Sequence, residues 1–266
     1  MSTLPDLQQR ANRGEKLAML TCYDASFAAR LEAAGIDALL VGDSLGMVFQ
    51  GQTSTLPVSL DEMAYHTAAV ARGARHTFII ADLPFGSYQE NPGQALRSAA
   101  RLLAAGAHAV KLEGGDVMVE TTSFLSERGI PVCAHLGLTP QSVHALGGYR
   151  VQGKDDTSAQ QLLNDAERLA LAGAGMMVLE AIPARLAEQI TTQVPTIPTI
   201  GIGAGPACNG QVLVLYDALG ITPGKIPRFA HNFMADCRNI EEAISHYIQA
   251  VKSGTFPSAA HSFQPG

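Results

Sequence analysis

The chain has 266 residues, of which 47% are hydrophobic and 16% charged, and its 18 basic and 24 acidic residues give a formal charge of −6. This length and composition predict one globular fold with a full core and exclude a disordered or fibrous protein. The acidic balance argues against a nucleic-acid partner, and no apolar run approaches the roughly 20 residues needed to span a bilayer.

The amino-terminal sequence and the cysteines bear on the cellular location. The first residues lack the basic and apolar regions of a signal peptide, so we expect a cytoplasmic protein with no membrane association. The four cysteines lie far apart in the chain with no C-x-x-C pair, which favours neither a disulfide scaffold nor a zinc site.

A repeated unit organises the chain. In Ala34–Asp43, Ala105–Glu113 and Ala172–Glu180, a glycine suited to the end of a helix precedes a short apolar run that ends in a carboxylate. Two looser copies of this unit follow Gly73 and Gly129, with the apolar runs Phe78–Asp82 and Pro131–His135. The pattern predicts helix, turn, buried strand and acid, repeated five times.

Eight apolar runs complete the predicted strands. Three are the runs of the clear repeats, and the others are Leu17–Thr21, Phe78–Asp82, Pro131–His135, Ile197–Gly201 and Val212–Tyr216. Most are continuously apolar, which is typical of parallel strands covered on both faces. Eight such units in about 250 residues predict an α/β fold, a (β/α)8 TIM barrel, over an open doubly wound sheet.

The helix and domain boundaries follow from local signals. Capping-box patterns predict helices that begin at Ser59 and Ser158, and Pro183 is expected in the first turn of a helix. No linker divides the chain, so residues 1–266 are predicted to form a single barrel domain with an amino-terminal helical extension. A helix over Phe229–Ser253 and a Pro- and Gly-containing tail are expected at the carboxyl end.

Polar residues follow most of the predicted strands and should converge at one mouth of the barrel, where barrel enzymes hold their active sites. Crowded carboxylates must be protonated, paired or bound to a cation. Because carboxylate oxygens dominate, the expected ion is Mg²⁺ before Zn²⁺. The residues are Tyr23, Asp24, Asp43, Ser44, Asp82, Lys111, Glu113, His135, Glu180, the turn at Gly201–Gly205 and Asp217.

Each residue also has a structural interpretation. Asp43 could cap the next helix, Asp82 could form a turn before Leu-Pro, and Glu113 could be a solvated loop charge. His135 could be a hydrogen-bonded structural residue. Lys111 should face into the barrel beside Glu113, and we expect it to pair with an acid or with a substrate carboxylate. The glycines at 201–205 fit a tight turn better than a phosphate cradle.

Several long motifs resemble the ketopantoate hydroxymethyltransferase family over almost the whole chain. They are Thr21-Cys-Tyr-Asp24, Val41-Gly-Asp-Ser-Leu-Gly-Met47, Gly51-Gln-Thr-Ser-Thr-Leu-Pro-Val58, Ala64-Tyr-His-Thr67, Ala81-Asp-Leu-Pro-Phe85, Val110-Lys-Leu-Glu-Gly-Gly115, His135-Leu-Gly-Leu-Thr-Pro-Gln141, Gly147-Gly-Tyr-Arg-Val-Gln-Gly153 and Ile200-Gly-Ile-Gly-Ala-Gly205. The resemblance implies transfer of a hydroxymethyl group from 5,10-methylenetetrahydrofolate to 3-methyl-2-oxobutanoate through an Mg²⁺-stabilised enolate. The product would be 2-dehydropantoate, in pantothenate biosynthesis.

The resemblance also implies residue roles and an assembly. Its magnesium ligands match Asp43 and Asp82, with Glu113 as a third metal-associated carboxylate. Its oxo-acid contacts match Asp43, Ser44, Asp82 and Lys111, and its proton acceptor matches Glu180. His135 is a possible accessory residue in the protonation steps. The family implies a homo-oligomer, commonly a decamer, that acts on small molecules.

Three other functions remain open on the sequence. One is a lyase or mutase related to isocitrate lyase and phosphoenolpyruvate mutase, although the catalytic cysteine motif of the lyases is missing. Another is a class I aldolase with Lys111 as the Schiff base, which a carboxylate-rich mouth disfavours because it keeps the amine protonated. The third is a binding module without catalysis, which would leave the acidic residues without a purpose.

Overall fold

The computed structural model describes residues 2–224 and 226–264 and confirms the predicted barrel. Eight parallel strands pair in sequence order, and the barrel closes where Leu17 of the first strand lies opposite Gly210 of the last. The strands are β1 Leu17–Thr21, β2 Ala38–Val41, β3 Phe78–Asp82, β4 Ala109–Glu113, β5 Val132–Gly137, β6 Met176–Glu180, β7 Thr199–Ile202 and β8 Gly210–Leu213.

The helices surround the barrel, and most of them begin at a residue whose side chain caps them. Ser59 and Glu62 form the predicted capping box, and Asn91 accepts a hydrogen bond from the backbone of Gln94 at the start of another helix. The helices are α1 Leu4–Asn12, α2 Ala25–Ala33, α3 Leu45–Val48, α4 Leu60–Gly73, α5 Pro92–Ala104, α6 Val119–Ser126, α7 Asp156–Leu171, α8 Ala184–Gln193, α9 Leu215–Ala218 and α10 Ile240–Ser253.

The glycines of the repeat end their helices as predicted. Gly35, Gly106 and Gly173 have φ angles of 83°, 113° and 96°, in the region that a residue with a Cβ adopts only at a cost. Each turn leads into a strand with every side chain buried except that of Glu180, which is partly exposed. The repeat therefore sets the spacing between each helix and the acid that follows its strand.

Three helix starts differ from prediction. Pro183, expected in the first turn of a helix, is the residue before α8, which begins at Ala184. The helix expected at Ser158 begins at Asp156, because Asp155 accepts the hydrogen bond from the Ser158 backbone and serves as the cap. The helix expected from Phe229 begins only at Ile240, where Asn239 accepts a hydrogen bond from the backbone of Glu242.

The last two strands are displaced from their predicted positions. The seventh begins two residues later than expected, and the eighth begins two residues earlier and ends at Leu213. Residues 203–209 connect them without a helix, so this unit departs from the predicted alternation. Tyr247 of α10 donates hydrogen bonds to the carbonyls of Met19 in β1 and Gln211 in β8, which fixes the carboxyl-terminal helix beside the closure of the barrel.

Candidate active site

The carboxyl ends of five neighbouring strands bring charged side chains together. Strand pairing places Asp82 opposite Lys111, Glu113 opposite His135, and Gly137 opposite Glu180. Lys111 and Glu113 are two residues apart in β4 and therefore face the same side of the sheet. Asp43 follows β2 by two residues, and its backbone N–H donates to Asp82 Oδ2 at 3.1 Å. The structure thus joins six of the predicted residues in one cluster: Asp43, Asp82, Lys111, Glu113, His135 and Glu180.

Lys111 pairs with acids, as predicted. Its Nζ lies 3.1 Å from Asp82 Oδ1 and 3.7 Å from Glu113 Oε1, and all three residues are buried. The contact with Asp82 is an ion pair that does not have the geometry of a hydrogen bond. Asp82 Oδ1 is therefore a buried oxygen that accepts no hydrogen bond from the described residues. Burial lowers the pKa of Lys111, but the carboxylates outweigh it and hold the pKa above the ordinary lysine value.

His135 connects two acids of the cluster. Its Nδ1 lies 3.3 Å from Glu113 Oε1, and its Nε2 lies 3.2 Å from Glu180 Oε2. Burial and the Lys111 ammonium lower the pKa of His135, but the contacts with the two glutamates outweigh them and raise it above the usual histidine value. Glu180 differs from its neighbours because 14% of its side chain is exposed. It is therefore the most exposed acid of this group.

The acids differ in how readily they ionise. Burial raises the pKa of Asp43 well above the usual aspartate value, and the charges of Asp82 and Glu113 add to this. Burial also raises the pKa of Asp82, against the opposing effect of Lys111. Burial acts in the same direction on Glu113, but His135, Lys111 and the backbone N–H of Gln141 lower its pKa below the usual value. The cluster therefore holds an excess of carboxylates that a cation would stabilise.

Other predicted residues have structural partners. Ser44 Oγ lies 3.0 Å from the hydroxyl of buried Tyr23, beside Asp43. Asp24 is the amino-terminal cap of α2, where it accepts hydrogen bonds from the backbones of Ser26 and Phe27. These contacts place Ser44 next to the cluster and assign Asp24 to helix capping.

One further expectation changes, and another is confirmed. Asp217 does not follow a strand directly: β8 ends at Leu213, and Asp217 lies in α9, where Thr222 Oγ1 donates to it at 2.6 Å. The glycine segment after β7 is a tight turn, since Gly203 has a φ angle of 64° and a Cβ there would come within 2.8 Å of the Phe229 ring.

Two site residues were not predicted from the sequence. The Gln141 amide donates to Asp43 Oδ2 at 2.9 Å, and its backbone N–H donates to Glu113 Oε2 at 3.0 Å. The Tyr88 hydroxyl accepts a hydrogen bond from the Glu113 backbone at 3.0 Å. Gln141 ends one of the motifs of the family resemblance, but neither residue lies at a strand end, where the sequence predicts the polar groups of the site.

The donors are suited to a hard cation. No three Asp, Glu, His or Cys side chains of residues 2–224 and 226–264 are already gathered around one point as a complete metal cluster. Asp82 Oδ1, which faces the Lys111 ammonium, nevertheless is a buried oxygen that accepts no hydrogen bond from the described part of the chain, and Asp43 stands beside it with a raised pKa. Oxygen atoms in this environment are the ligands that Mg²⁺ prefers.

The described residues contain no helix with the length and apolar character of a membrane span. Solved structures with a similar fold include 2,3-dimethylmalate lyase, at 19% identity and a TM-score of 0.58 over 83% of this chain and 84% of that one. A phosphoenolpyruvate phosphomutase from Streptomyces platensis subsp. rosaceus has a TM-score of 0.60 at 15% identity, over 80% of this chain and 81% of that one. At these identities the likeness shows the barrel fold alone.

Sequence comparison gives the family. The profile of Ketopantoate hydroxymethyltransferase matches residues 1–259. A 3-methyl-2-oxobutanoate hydroxymethyltransferase of Aromatoleum aromaticum is 59% identical over 98% of this chain and 96% of its own length. One of the same name from Thiobacillus denitrificans is 60% identical over 99% of this chain and 98% of its own. The chain therefore belongs to the ketopantoate hydroxymethyltransferase family.

Proposed function

We propose that the protein transfers a hydroxymethyl group from 5,10-methylenetetrahydrofolate to 3-methyl-2-oxobutanoate and forms 2-dehydropantoate, a step of pantothenate biosynthesis. The observation that carries this proposal is the buried cluster around Lys111 at the mouth of the barrel, in a chain about 60% identical to enzymes of that name. The substrates are small molecules. A homodecamer and a cytoplasmic location remain predictions.

The cluster suits a magnesium ion and an oxo acid. Asp43 and Asp82 would hold Mg²⁺, with Glu113 beside them as a third carboxylate. Bound there, the ion would polarise the keto oxygen of the substrate and stabilise the enolate that forms when C3 loses its proton. Supporting this assignment are the buried carboxylates of Asp43 and Asp82, which outnumber the one ammonium group beside them, and the raised pKa of Asp43.

Lys111 and Ser44 would bind the oxo acid. The ammonium group stays charged, because the surrounding carboxylates hold its pKa high, and it can attract the substrate carboxylate. Ser44 offers a hydroxyl at the edge of the same cluster, where Tyr23 fixes its orientation. Asp43 and Asp82 would complete the contacts with the oxo acid, together with the cation that they hold.

Glu180 would remove the proton from C3. Its side chain is the partly exposed acid of the cluster, and its Oε2 faces His135 Nε2 at 3.2 Å. The imidazole can orient this carboxylate and pass a proton toward Glu113, which lies on its other side. The resulting carbon nucleophile forms a C–C bond to the one-carbon unit, the two C–N bonds that join this unit to the folate break, and one water supplies the hydroxyl oxygen of the product. The proton from C3 and one proton of that water end on the two folate nitrogens, and tetrahydrofolate leaves.

The direct test is formation of 2-dehydropantoate by the purified protein. We expect product only when both 3-methyl-2-oxobutanoate and 5,10-methylenetetrahydrofolate are present, and we expect EDTA to stop the reaction and added Mg²⁺ to restore it. Product formation that is insensitive to EDTA would contradict the metal assignment. No product under any condition would contradict the activity.

A Schiff-base mechanism makes a different prediction. It would need Lys111 as a neutral amine, whereas Asp82 and Glu113 favour the ammonium form. Borohydride treatment in the presence of the oxo acid should therefore leave the mass of the protein unchanged. A reduced adduct on Lys111 would favour the aldolase chemistry instead.

A further inference from the structure

Gln141 is a buried amide that reaches two strand ends of the barrel. It lies in a short 3-10 helix, Pro140–Ser142, that follows β5, and it is 5% exposed. Its Nε2 donates to Asp43 Oδ2 and to the carbonyl of Leu83, both at 2.9 Å. Its Oε1 accepts from the Tyr88 hydroxyl at 2.7 Å and from Gln89 Nε2 at 3.1 Å. All four hydrogen-bonding positions of the amide are therefore used.

Three of the four acids of the cluster share one pattern of hydrogen bonding. Asp43 Oδ2 accepts from the Gln141 side chain, Glu113 Oε2 accepts from the Gln141 backbone, and Asp82 Oδ2 accepts from the Asp43 backbone. The second oxygens of Asp82 and Glu113 lie on the side of Lys111. Each carboxylate thus has one oxygen held by an N–H group, and Gln141 supplies two of the three donors.

Tyr88 fixes which end of the Gln141 amide faces Asp43. The tyrosine hydroxyl accepts a hydrogen bond from the Glu113 N–H at 3.0 Å. It gives its own proton to the nearer acceptor, Gln141 Oε1 at 2.7 Å, and not to the Glu113 carbonyl at 3.3 Å. With the amide oxygen held in this way, the NH₂ group must point toward the Asp43 carboxylate.

We propose that Gln141 is a positioning residue that orients the carboxylates of Asp43 and Glu113 for cation binding, with Tyr88 fixing its amide. This inference rests on the proposed function of the same site. Protein groups use all four hydrogen-bonding positions of the amide, which leaves none for the oxo acid or the folate. The side-chain amide engages one oxygen of Asp43 and the backbone N–H of the same residue engages one oxygen of Glu113, so that the carboxylate planes are fixed and the cation meets preorganised ligands.

The test is cation affinity without turnover. The probe is Mn²⁺, followed by the electron paramagnetic resonance signal of the free ion. Gln141→Met keeps the length of the side chain and removes its donors, and we expect the Mn²⁺ dissociation constant to rise roughly 10–100-fold. Tyr88→Phe keeps the amide but frees it to rotate, and we expect a smaller increase in the same direction.

A matched control separates this effect from general destabilisation. Gln8 lies in α1, and its Nε2 donates to the carbonyl of Gly175 at 2.9 Å, just before β6 begins at the other end of the barrel. Gln8→Met loses a glutamine hydrogen bond of similar length, and its Mn²⁺ affinity should stay within twofold of the parent value. Thermal melting of the variants without metal reports how much each loses in stability.

The outcomes are distinct. A parent-like Mn²⁺ affinity for Gln141→Met would overturn the inference, and should that variant fail to fold, a parent-like affinity for Tyr88→Phe would do so. If the parent protein binds Mn²⁺ and the Gln141 variant does not, yet the parent makes no 2-dehydropantoate, the positioning role stands and the proposed function fails. A parent protein that binds no Mn²⁺ contradicts both.

Discussion

Replacing Lys111 by methionine should strongly destabilise the fold, because the ammonium group is the buried cation between two buried acids. At 3.1 Å from Asp82 and 3.7 Å from Glu113, each gross attraction is roughly 5 kcal/mol at an effective dielectric constant of about 20. Desolvation offsets part of this gain, and breaking buried pairs of this kind costs about 3–5 kcal/mol. We expect Lys111→Met to lose that amount of unfolding free energy.

Urea unfolding followed by circular dichroism, at neutral pH and with EDTA present, measures this loss. Lys252→Met is the matched control: Lys252 pairs with Asp37 at 3.2 Å, but its side chain is 39% exposed and Arg10 also contacts that aspartate. Its loss should be about 1 kcal/mol or less. A loss below about 1 kcal/mol for Lys111→Met as well would refute the argument that the cluster depends on its buried ammonium.

The pH dependence of this loss has a definite sign. The pKa of Lys111 is raised in the folded protein, so the stability that it contributes is present below the ordinary lysine pKa and is lost as the pH rises through the folded value. Without the ammonium, Asp82 is easier to protonate. The penalty of Lys111→Met should therefore shrink as the pH falls toward the ordinary aspartate range, where the buried carboxyl group becomes neutral.

Three substitutions test separate roles. Glu180→Gln should abolish exchange of the C3 proton of 3-methyl-2-oxobutanoate with deuterated water, as seen by NMR, while leaving its binding nearly intact; exchange at the parent rate would place the base elsewhere. Asp24→Ala should cost about 1 kcal/mol in urea unfolding and leave the Michaelis constants unchanged, since Asp24 caps α2. A large change in those constants would return it to the active site. Tyr247→Phe removes two hydrogen bonds to β1 and β8 and should lose about 1–2 kcal/mol, and an unchanged urea midpoint would contradict that role.

The barrel could be predicted because its information is local. In the three clear copies of the repeat, a glycine ends the helix, a strand of four or five residues follows, and an acid lies at or just past the strand end, so a short stretch of sequence contains the whole unit. Parallel strands in a closed barrel end at the same side, and the proximity of Asp82, Lys111 and Glu180 follows from that rule. The contacts between neighbouring strand ends could therefore be predicted without knowing how the loops fold.

The rest depends on contacts between distant loops. Gln141 and Tyr88 meet the acids from segments that follow β5 and β3, and nothing in their local sequence indicates which buried partner they reach. The displacement of the last strands has a similar cause. The run Val212–Tyr216 is apolar enough for a strand, yet strand pairing with β1 ends at Leu213 and the chain turns into α9.

The charges at the mouth explain why an anionic oxo acid would need a cation. Four carboxylates stand near a single ammonium group, and a substrate carboxylate that enters this cluster meets more negative than positive charge. His135 adds a second positive charge when its imidazole is protonated, a form that the raised pKa of this residue favours. A divalent cation on the acids would reverse the local sign and create an attractive site for the oxo acid. The four acids are Asp43, Asp82, Glu113 and Glu180.

Removal of the cation should therefore remove substrate binding as well as turnover. In calorimetric titrations, we expect 3-methyl-2-oxobutanoate to bind when Mg²⁺ is present and to show no binding in EDTA. Asp82→Ala should abolish this metal-dependent binding, because it removes a carboxylate next to Lys111, whereas Asp61→Ala, whose side chain is 79% exposed and pairs with Arg101, should not. If the oxo acid bound equally well in EDTA, Lys111 alone would be enough to neutralise it, and Asp82 would have no role as a metal ligand.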